Sequence, residues 1–169
     1  MRKLEIGCGR KLHEGYEGLD IGDFPIEYPK TDARKLPFKD ETFDEVFAHW
    51  VLEHFAWREL PDLLKEWKRM LKKGGILHIV TNNQEAHNRC LAMGKISWEE
   101  WVKLTYGISL DGQGPVTLSD CHKIGFTKEL LVDFFIKAGF EIREIEAQWE
   151  CREDDGSIKC PGLIIKGIK

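Results

Sequence analysis

The stretch Leu4-Glu5-Ile6-Gly7-Cys8-Gly9 is the most informative part of the chain, because a short apolar strand runs directly into two glycines separated by one residue. Glycine has no Cβ, so the backbone at such a strand end can approach a nucleotide-like ligand closely. The next apolar run, 16–21, reaches the acidic residue Asp20, whose carboxylate can accept hydrogen bonds from ribose hydroxyls. The pattern predicts a nucleotide-type site where the first two strands end.

Length, charge and cysteine content limit the class of protein. The chain has 169 residues, which suits a single domain, predicted over 1–169. Its net charge of -4 argues against a large nucleic-acid surface, which requires a basic stripe. No apolar run has the length that spans a bilayer, and the glycine motif starts too early for a signal peptide. Five cysteines without Cys-x-x-Cys pairs favour reduced thiols in a cytoplasmic protein.

Strand and helix patterns alternate along most of the chain. The predicted strands lie at 2–6, 16–21, 43–49, 76–80, 141–150 and 158–168, with a short strand near Lys30 and Thr31. The predicted helices lie at 58–71, where Gly74-Gly75 ends the helix, and at 127–139, where Gly139 does so. This order predicts an α/β fold: a Rossmann-like, doubly wound sheet of seven strands or slightly fewer, mostly parallel with a C-terminal antiparallel hairpin.

The C-terminal hairpin places two cysteines near each other. Asp155-Gly156 is a turn signal between the last two strands. If these are the turn residues, Asp154 faces Ser157 and Cys151 lies opposite Cys160, within reach of a disulfide. In a cytoplasmic protein we expect the pair to remain as thiols.

Residues 83–126 interrupt the alternation of strands and helices. Two helix-like pieces, near 84–93 and 97–105, are followed by a polar loop from 107 to 115. Loops and insertions at the open end of a scaffold often carry function. We therefore predict that 83–126 is an insertion that covers the substrate.

At this point the sequence resembles the class I S-adenosylmethionine-dependent methyltransferases over nearly the whole chain. The matching pieces are short, and they occur in the family's order: 5–9, Asp20, Asp32-Ala33 before Leu36-Pro37-Phe38, Phe43-Asp44, Val51-Leu52-Glu53-His54-Phe55 and 71–75. The sequence is most similar to the small methyltransferases linked with cell-surface glycan biosynthesis. These share the short glycine loop, the Val-Leu-Glu-His-Phe segment and a segment like 122–126.

The resemblance implies S-adenosylmethionine as the cofactor and S-adenosylhomocysteine as its product. The residues implied to bind the cofactor are Glu5, Gly7, Cys8, Gly9, Asp20, Ile21, Asp32, Ala33, His49 and Trp50. Among them, Gly7 and Gly9 would line the methionine part, and Glu5 would steady the loop. Asp20 would hold the ribose and Asp32 would accept from the adenine amino group.

Two features depart from the family pattern. Arg10, Lys11 and Leu12 follow Gly9, so the third glycine of the fuller motif is missing. The N-terminal helices that cover the substrate in many relatives are also missing. Either 83–126 or a partner chain, as in a homodimer, must then form the cover.

His122 and His54 are the candidate catalytic residues. The sulfonium donor is already activated, so the protein mainly aligns the reactants, and an oxygen or nitrogen nucleophile also needs a base. Histidine titrates near neutral pH. A structural role remains open for both residues, as a turn anchor for His54 and as a cap or packing residue for His122. No metal is expected, because spacing alone does not make a site of Cys90 with His87 or of Cys121 with His122.

The predicted function is methyl transfer from S-adenosylmethionine to an oxygen or nitrogen of a small molecule or glycan. The alternative is a non-catalytic module or subunit that binds the same cofactor. A dinucleotide-dependent oxidoreductase fits less well, because its third glycine is replaced by Leu12 and Asp20 comes too early. Nucleic-acid methylation is disfavoured by the acidic charge, and Thr81-Asn82-Asn83-Gln84 stands where base methyltransferases carry a proline-rich motif.

Overall fold

The computed structural model describes residues 1–22, 29–107 and 121–169. Within these residues the strands are β1 (Lys3–Ile6), β2 (Glu17–Leu19), β3 (Phe43–His49), β4 (Leu71–Asn82), β5 (Glu141–Ala147) and β6 (Gly162–Ile168). The helices are α1 (Leu60–Met70), α2 (Gln84–Ala92), α3 (Trp98–Tyr106) and α4 (Lys128–Lys137), with a 3-10 turn over Leu52–His54.

All six strands form one mixed sheet in the order β2-β1-β3-β4-β6-β5. The first four strands pair in parallel, and β6 is antiparallel to both of its neighbours. The Rossmann-like α/β prediction and the terminal antiparallel hairpin are therefore confirmed. Because the carboxyl ends of parallel strands meet at one edge, β1, β2 and β3 deliver their following loops to the same side of the sheet.

The sheet has six strands in the described part of the chain, and a seventh strand is not confirmed. Near Lys30 the chain makes a single parallel bridge to Asp20, supported by a hydrogen bond of 2.8 Å from Thr31 N–H to Asp20 O. Pro29 has no N–H and cannot extend this ladder on the preceding side. The short strand expected near Lys30 and Thr31 is thus reduced to one bridge.

Helix α1 shows how the apolar pattern builds the core. Its buried side chains recur three and four residues apart, which puts them on one face: Leu60, Leu63, Leu64, Trp67 and Met70. They join a cluster with α4, β3, β4 and β6, and α4 contributes Leu131, Phe134 and Phe135. Helices α2 and α3 pack on each other around a second, smaller cluster.

The predicted helix 58–71 is confirmed as α1, which stops at Met70, but Gly74-Gly75 does not end it. Strand β4 begins at the residue after Met70, so the strand is longer than the predicted 76–80. The glycines lie within β4, where the pairing with β3 changes register between Phe43 and Glu45. Gly74 has a φ of 77°, a conformation that glycine adopts without the cost that other residues incur.

The register of the hairpin differs by one residue from the predicted register. Arg152 bridges to Ile158, and Lys159 N–H donates to Cys151 O at 3.0 Å, so Cys151 does not lie opposite Cys160. Both strands are also shorter than predicted: β5 ends earlier, at Ala147, and β6 begins later, at Gly162. No disulfide joins cysteines in the described residues.

The two helix-like pieces predicted inside 83–126 are present as α2 and α3. Ser97 caps α3 in a capping box with Glu100, and Gly107 ends that helix in the left-handed conformation. The rest of the predicted polar loop, from 108 onward, lies outside the described residues until 121. In the described parts of the chain, no helix combines the length and apolar character needed to cross a membrane.

Candidate functional site

The glycine loop leaves β1 at the carboxyl edge of the sheet. Gly7 and Gly9 have φ values of 69° and 57°. The N–H groups of Gly7 and Cys8 both donate to Leu19 O, at 2.9 and 3.2 Å, which holds the loop against the end of β2. A Cβ at Gly7 would lie 2.4 Å from Cγ2 of Val51. Glycine is therefore required at position 7 both by its backbone conformation and by its close contact.

Asp20 follows β2 and fastens the loop. Its Oδ2 accepts the Gly9 N–H at 2.9 Å, and its Oδ1 accepts the Gly22 N–H at 2.7 Å. A carboxylate has about four acceptor positions, so capacity for ribose hydroxyls remains on the half-buried Asp20. Ile21, the next residue, is 60% exposed at the same edge.

Glu5 is buried and holds the loop from within, as the resemblance implied. Its two oxygens contact His13, accepting the backbone N–H at 2.8 Å and lying 2.9 Å from Nδ1 of the ring. The His13 ring meets Phe47 edge-on and lies 6.0 Å from the His49 ring. Sequence reasoning missed His13, because its role depends on where the loop turns back across β3.

His49 is the last residue of β3, and Trp50 follows it, at the same edge of the sheet as the glycine loop. Burial, and secondarily the neighbouring His13, lower the pKa of His49. Trp50 has a φ of 55°, which is rare for a bulky residue and costs about 1–3 kcal/mol. Its N–H donates to Val80 O at 2.9 Å. Backbone strain of this kind is common next to binding sites.

Asp32 and Ala33 follow the single bridge at Lys30. Asp32 Oδ1 accepts the Arg34 N–H at 2.9 Å, and both oxygens lie 3.2 Å from the Arg34 guanidinium, which also binds Glu59. The Asp32 side chain nevertheless remains 45% exposed and can accept further hydrogen bonds. Ala33 is buried, and its carbonyl accepts Nε1–H of Trp67 at 3.0 Å.

The loop residues suit a nucleoside-type ligand with a charged amino-acid part. A Cβ at Gly9 would meet no described atom within 4 Å, so the Gly9 backbone is open to a ligand. Asp20 supplies acceptors beside it. Burial, followed by the nearby Asp20 charge, raises the pKa of Cys8 to about 11, so Cys8 stays a neutral thiol rather than a nucleophile.

A second group of polar residues lies between the 3-10 turn, β4 and residue 122. Glu53 is fully buried, and its Oε2 accepts the Thr81 hydroxyl at 2.9 Å. Its Oε1 has no hydrogen-bond partner among the described residues and lies 3.9 Å from Nε2 of His122. The His54 ring meets the His122 ring edge-on at 5.2 Å between centroids. The two candidate catalytic histidines are therefore neighbours, although they are far apart in sequence.

Burial sets the protonation of this group. It raises the pKa of Glu53 to about 7, an effect partly opposed by hydrogen bonds from its own backbone amide and from Thr81. It lowers the pKa of His122 to about 4, with a further decrease from His54 that a hydrogen bond to the Thr105 backbone partly opposes. His122 is then neutral at pH 7, and its contact with Glu53 is not a charged pair. Glu53 was not chosen as a site residue, although its place in an apolar segment could have indicated burial.

The surroundings of His122 restrict its ring. Nδ1 lies 3.5 Å from Nδ2 of Asn82, and a Cβ at Gly107 would lie 2.5 Å from the ring. His122 N–H donates to Tyr106 O at 3.1 Å. Helix α4 is capped by Thr127, so His122 is not its cap. The packing role left open for His122 is present, and it does not exclude a role in chemistry.

Comparison with known proteins finds methyltransferases that are similar to this chain. Residues 8–79 match the family described as "Methyltransferase domain". The ubiquinone/menaquinone biosynthesis C-methyltransferase of Pseudomonas savastanoi pv. phaseolicola is 26% identical over 140 residues, covering 82% of this chain and 51% of the relative. The ubiquinone biosynthesis O-methyltransferase of Pelagibacter ubique is 23% identical over 159 residues, covering 75% and 65%. The chain thus spans about half the length of the first of these relatives.

Solved structures show the same fold. An S-adenosylmethionine-dependent methyltransferase from Methanosarcina mazei has a TM-score of 0.66 at 22% identity, covering 99% of this chain and 92% of that chain. The 1,6-didemethyltoxoflavin-N1-methyltransferase of Burkholderia thailandensis, solved with S-adenosylhomocysteine, has a TM-score of 0.65 at 14% identity, covering 99% and 70%. The fold is that of the class I S-adenosylmethionine-dependent methyltransferases. Residues 8–79, which match the methyltransferase domain family, lie within this shared fold.

Proposed function

We propose that the chain transfers a methyl group from S-adenosylmethionine to an oxygen or nitrogen of a small-molecule acceptor. The observation that carries the proposal is the glycine loop between β1 and β2, closed onto Asp20 at the carboxyl edge of the parallel strands. Ligands of open α/β sheets bind at this edge. When bound, the cofactor supplies an activated methyl group, and the residues around it hold the reactants in line.

In this proposal the cofactor lies across the ends of β1, β2 and β3. Asp20 and Ile21 border the ribose, with Asp32 and Ala33 on the adenine side. The methionine side is formed by Glu5, Gly7, Cys8, Gly9, His49 and Trp50. One observation supports this arrangement. Asp20 accepts a hydrogen bond from Gly9 N–H and Glu5 accepts one from His13 N–H, so both carboxylates hold the loop that the cofactor would contact.

The acceptor side is proposed to include His54, His122 and the insertion 83–126. Two acceptor classes are proposed, glycan-type molecules from the sequence resemblance and quinone precursors from the names of the matched relatives. The names of the relatives favour the quinone class, and because one is a C-methyltransferase and the other an O-methyltransferase, carbon joins oxygen and nitrogen as a proposed acceptor atom. A cytoplasmic location agrees with the free cysteines, and a homodimer would complete the cover if 83–126 does not.

The cofactor assignment is tested by calorimetry with S-adenosylmethionine, S-adenosylhomocysteine and NAD. We expect binding of the first two, and we expect Asp20→Ala to weaken it by about 10- to 100-fold, because hydrogen bonds to a charged group contribute about 1.5–3 kcal/mol. Asp62→Ala, which removes an exposed carboxylate from α1, is the matched control and should bind normally. Tight NAD binding without a response to the other two ligands would refute the proposal.

Asp20→Ala also removes the contact to Gly9 N–H, so a second variant separates loop closure from ribose binding. Asp20→Asn keeps one acceptor oxygen for Gly9 but loses the charge that favours the ribose hydroxyls. An intermediate loss of affinity supports the ribose assignment. Unchanged affinity in both variants shows that the ribose lies elsewhere.

A non-catalytic cofactor-binding module is the second candidate. The observation in its favour is the enclosure of His122, whose two ring nitrogens face Asn82 and Glu53 rather than open space. The two functions are separated by a screen of quinone precursors, nucleotide sugars and short glycans that follows release of S-adenosylhomocysteine. Turnover with any class establishes the enzyme, whereas cofactor binding without turnover across the screen favours the module.

A further inference from the structure

We propose that Glu53, His54 and His122 bind one divalent transition-metal ion. Each of the three side chains offers a ligand atom, and these atoms all lie within 4.8 Å of one another in the described structure. The ligands come from the 3-10 turn after β3 and from the segment before α4. Spacing along the chain therefore could not reveal the site, and the expectation of no metal was drawn from spacing alone.

The unpartnered oxygen of Glu53 is the main observation. The side chain is 0% exposed, and Thr81 occupies Oε2, which leaves Oε1 aimed at the two histidines without a partner in the described residues. A buried polar atom without a hydrogen bond costs about 1–3 kcal/mol, and more when it carries charge. A bound cation would remove this cost, because it supplies the positive partner that the surrounding apolar residues do not.

The distances fit shared ligands better than a hydrogen bond. Nε2 of His122 lies 3.9 Å from Oε1 of Glu53, beyond hydrogen-bond range. Two ligands that each lie about 2.1 Å from a tetrahedral zinc ion are about 3.4 Å apart, so the ligand atoms must move closer by about half an ångström or more to share one ion. The His54 ring meets the His122 ring edge-on, and its ligand atom lies within 4.8 Å of the other two.

Neighbouring groups support the ligands. The Thr81 hydroxyl orients the Glu53 carboxylate from behind, as outer hydrogen-bond partners do in metal sites. Metal on Nε2 requires the ring proton on Nδ1, which lies 3.5 Å from Nδ2 of Asn82. Both groups are then donors, because Asn82 is oriented by its bonds to Ile124 O and Phe126 N–H. Metal binding therefore requires the ring to move away from Asn82 toward Glu53.

The ligand set defines the class of ion. Two imidazoles and one carboxylate bind zinc in catalytic sites that keep an open position, and they also suit other first-row divalent ions. The open position would polarise the acceptor oxygen or nitrogen, a consequence that rests on the proposed function. Metal binding itself does not depend on methyl transfer and is measured directly.

The test uses the metal-free full chain, titrated with zinc by calorimetry and with cobalt by visible absorption. We expect one ion per chain, with affinity reduced more than about tenfold in Glu53→Gln, His54→Gln and His122→Gln, a loss comparable to the removal of supporting groups in known sites. The matched control is His78→Gln. His78 Nδ1 also lies 3.9 Å from a glutamate, Glu45, but no third ligand joins that pair in the described chain, so its removal should leave affinity unchanged.

Three results would overturn the metal site. The first is the absence of stoichiometric binding by the unaltered chain. The second is unchanged affinity in the folded Glu53→Gln variant, with folding checked by circular dichroism. The third is a thiolate-to-cobalt charge-transfer band, which would place the ion on cysteines such as Cys160 beside His87. If the variants do not fold, the cobalt spectrum of the unaltered chain still shows whether cysteine thiolates bind the ion.

Titration of S-adenosylmethionine on the same samples separates this inference from the proposed function. Cofactor binding without metal binding refutes the metal site and leaves the methyltransferase proposal intact. Metal binding by a chain that does not bind the cofactor supports the site and refutes the proposed function.

Discussion

Gly7 meets two separate demands, a left-handed backbone and a contact with Val51 that leaves no room for a Cβ. Both arise where β1 ends, and both keep the loop close to Leu19 and Asp20. Other residues of the loop are less restricted, since a Cβ at Gly9 would enter open space. The strand followed by glycines could be recognised in the sequence, because the left-handed backbone at Gly7 is a property of a single residue.

Gly7→Ala should therefore lower the free energy of unfolding by about 2–4 kcal/mol, combining left-handed strain with overpacking. The cofactor affinity should fall with it, because the loop must move away from Val51. Gly15→Ala is the control, since Gly15 has a φ of 84° but open space around it, and it should cost about 1–2 kcal/mol from strain alone. Denaturant unfolding compares the two, and equal losses would show that the Val51 contact is unimportant.

Among the elements, the C-terminal hairpin shows how a correct turn can accompany a wrong register. The turn around Asp155 and Gly156 is present, with Glu153 N–H donating to Ser157 O at 2.9 Å. The pairing beyond it is shifted by one residue, so Cys151 is buried against Ala86 while Cys160 approaches His87. A shift of one residue in the pairing moves a side chain to the other face of a strand. The prediction that Cys151 lies directly opposite Cys160 is therefore wrong.

Cys151 and Cys160 should react slowly with disulfide reagents in the native protein. Burial raises the pKa of Cys160 to about 12, with a smaller contribution from the Glu53 charge. Burial and then Cys90 raise the pKa of Cys151 as well. A raised pKa leaves little thiolate at pH 8, and the thiolate is the reactive form.

Thiol titration with mass mapping measures this, and we expect all five cysteines to react after denaturation. Cys160→Ser is the control, because it should leave the slow reaction of Cys151 unchanged. A Cys151–Cys160 disulfide in protein purified without reductant would contradict the prediction.

In the whole molecule, the loops of the candidate site follow the carboxyl ends of the parallel strands. Side chains of the same strands form much of the hydrophobic core. Strands β3 and β4 are each paired on both sides, and Val46, Leu77 and Ile79 among their residues are completely buried. Strand β5 lies at the edge of the sheet, with exposed residues alternating along it. Of the loops proposed to bind the cofactor, those after β1 and β3 extend from strands paired on both sides, whereas Asp20 follows the edge strand β2.

Amide hydrogen exchange should follow this arrangement. The slowest amides are expected in β3 and in 76–80 of β4, with opening free energies near that of global unfolding, because these strands cannot open without exposing the core. The amides of β5 should exchange sooner from its unpaired side. Mass spectrometry of peptides from the exchanged protein measures both, and equal protection of β5 and β4 would contradict the prediction.

Much of the fold could be predicted because its signals are local. The face of α1 that carries Leu63 and Trp67, the cap at Thr127 and the glycines after β1 each depend on residues within a few positions. The end of α1 was predicted within one residue, but the start of β4 was placed too late, because Gly74 and Gly75 suit a bulged strand as well as a helix end. Only the pairing with β3 distinguishes the two.

The sequence of this protein was sufficient for the α/β class, the parallel order of the first strands and the glycine loop with Asp20. Periodic burial and backbone preferences are encoded in neighbouring residues, so they can be read without the fold. Tertiary structure was needed for the group of Glu53, His54 and His122, and for the orphaned oxygen of Glu53. Burial and the meeting of distant segments depend on how the helices and strands pack, and no local pattern records that packing.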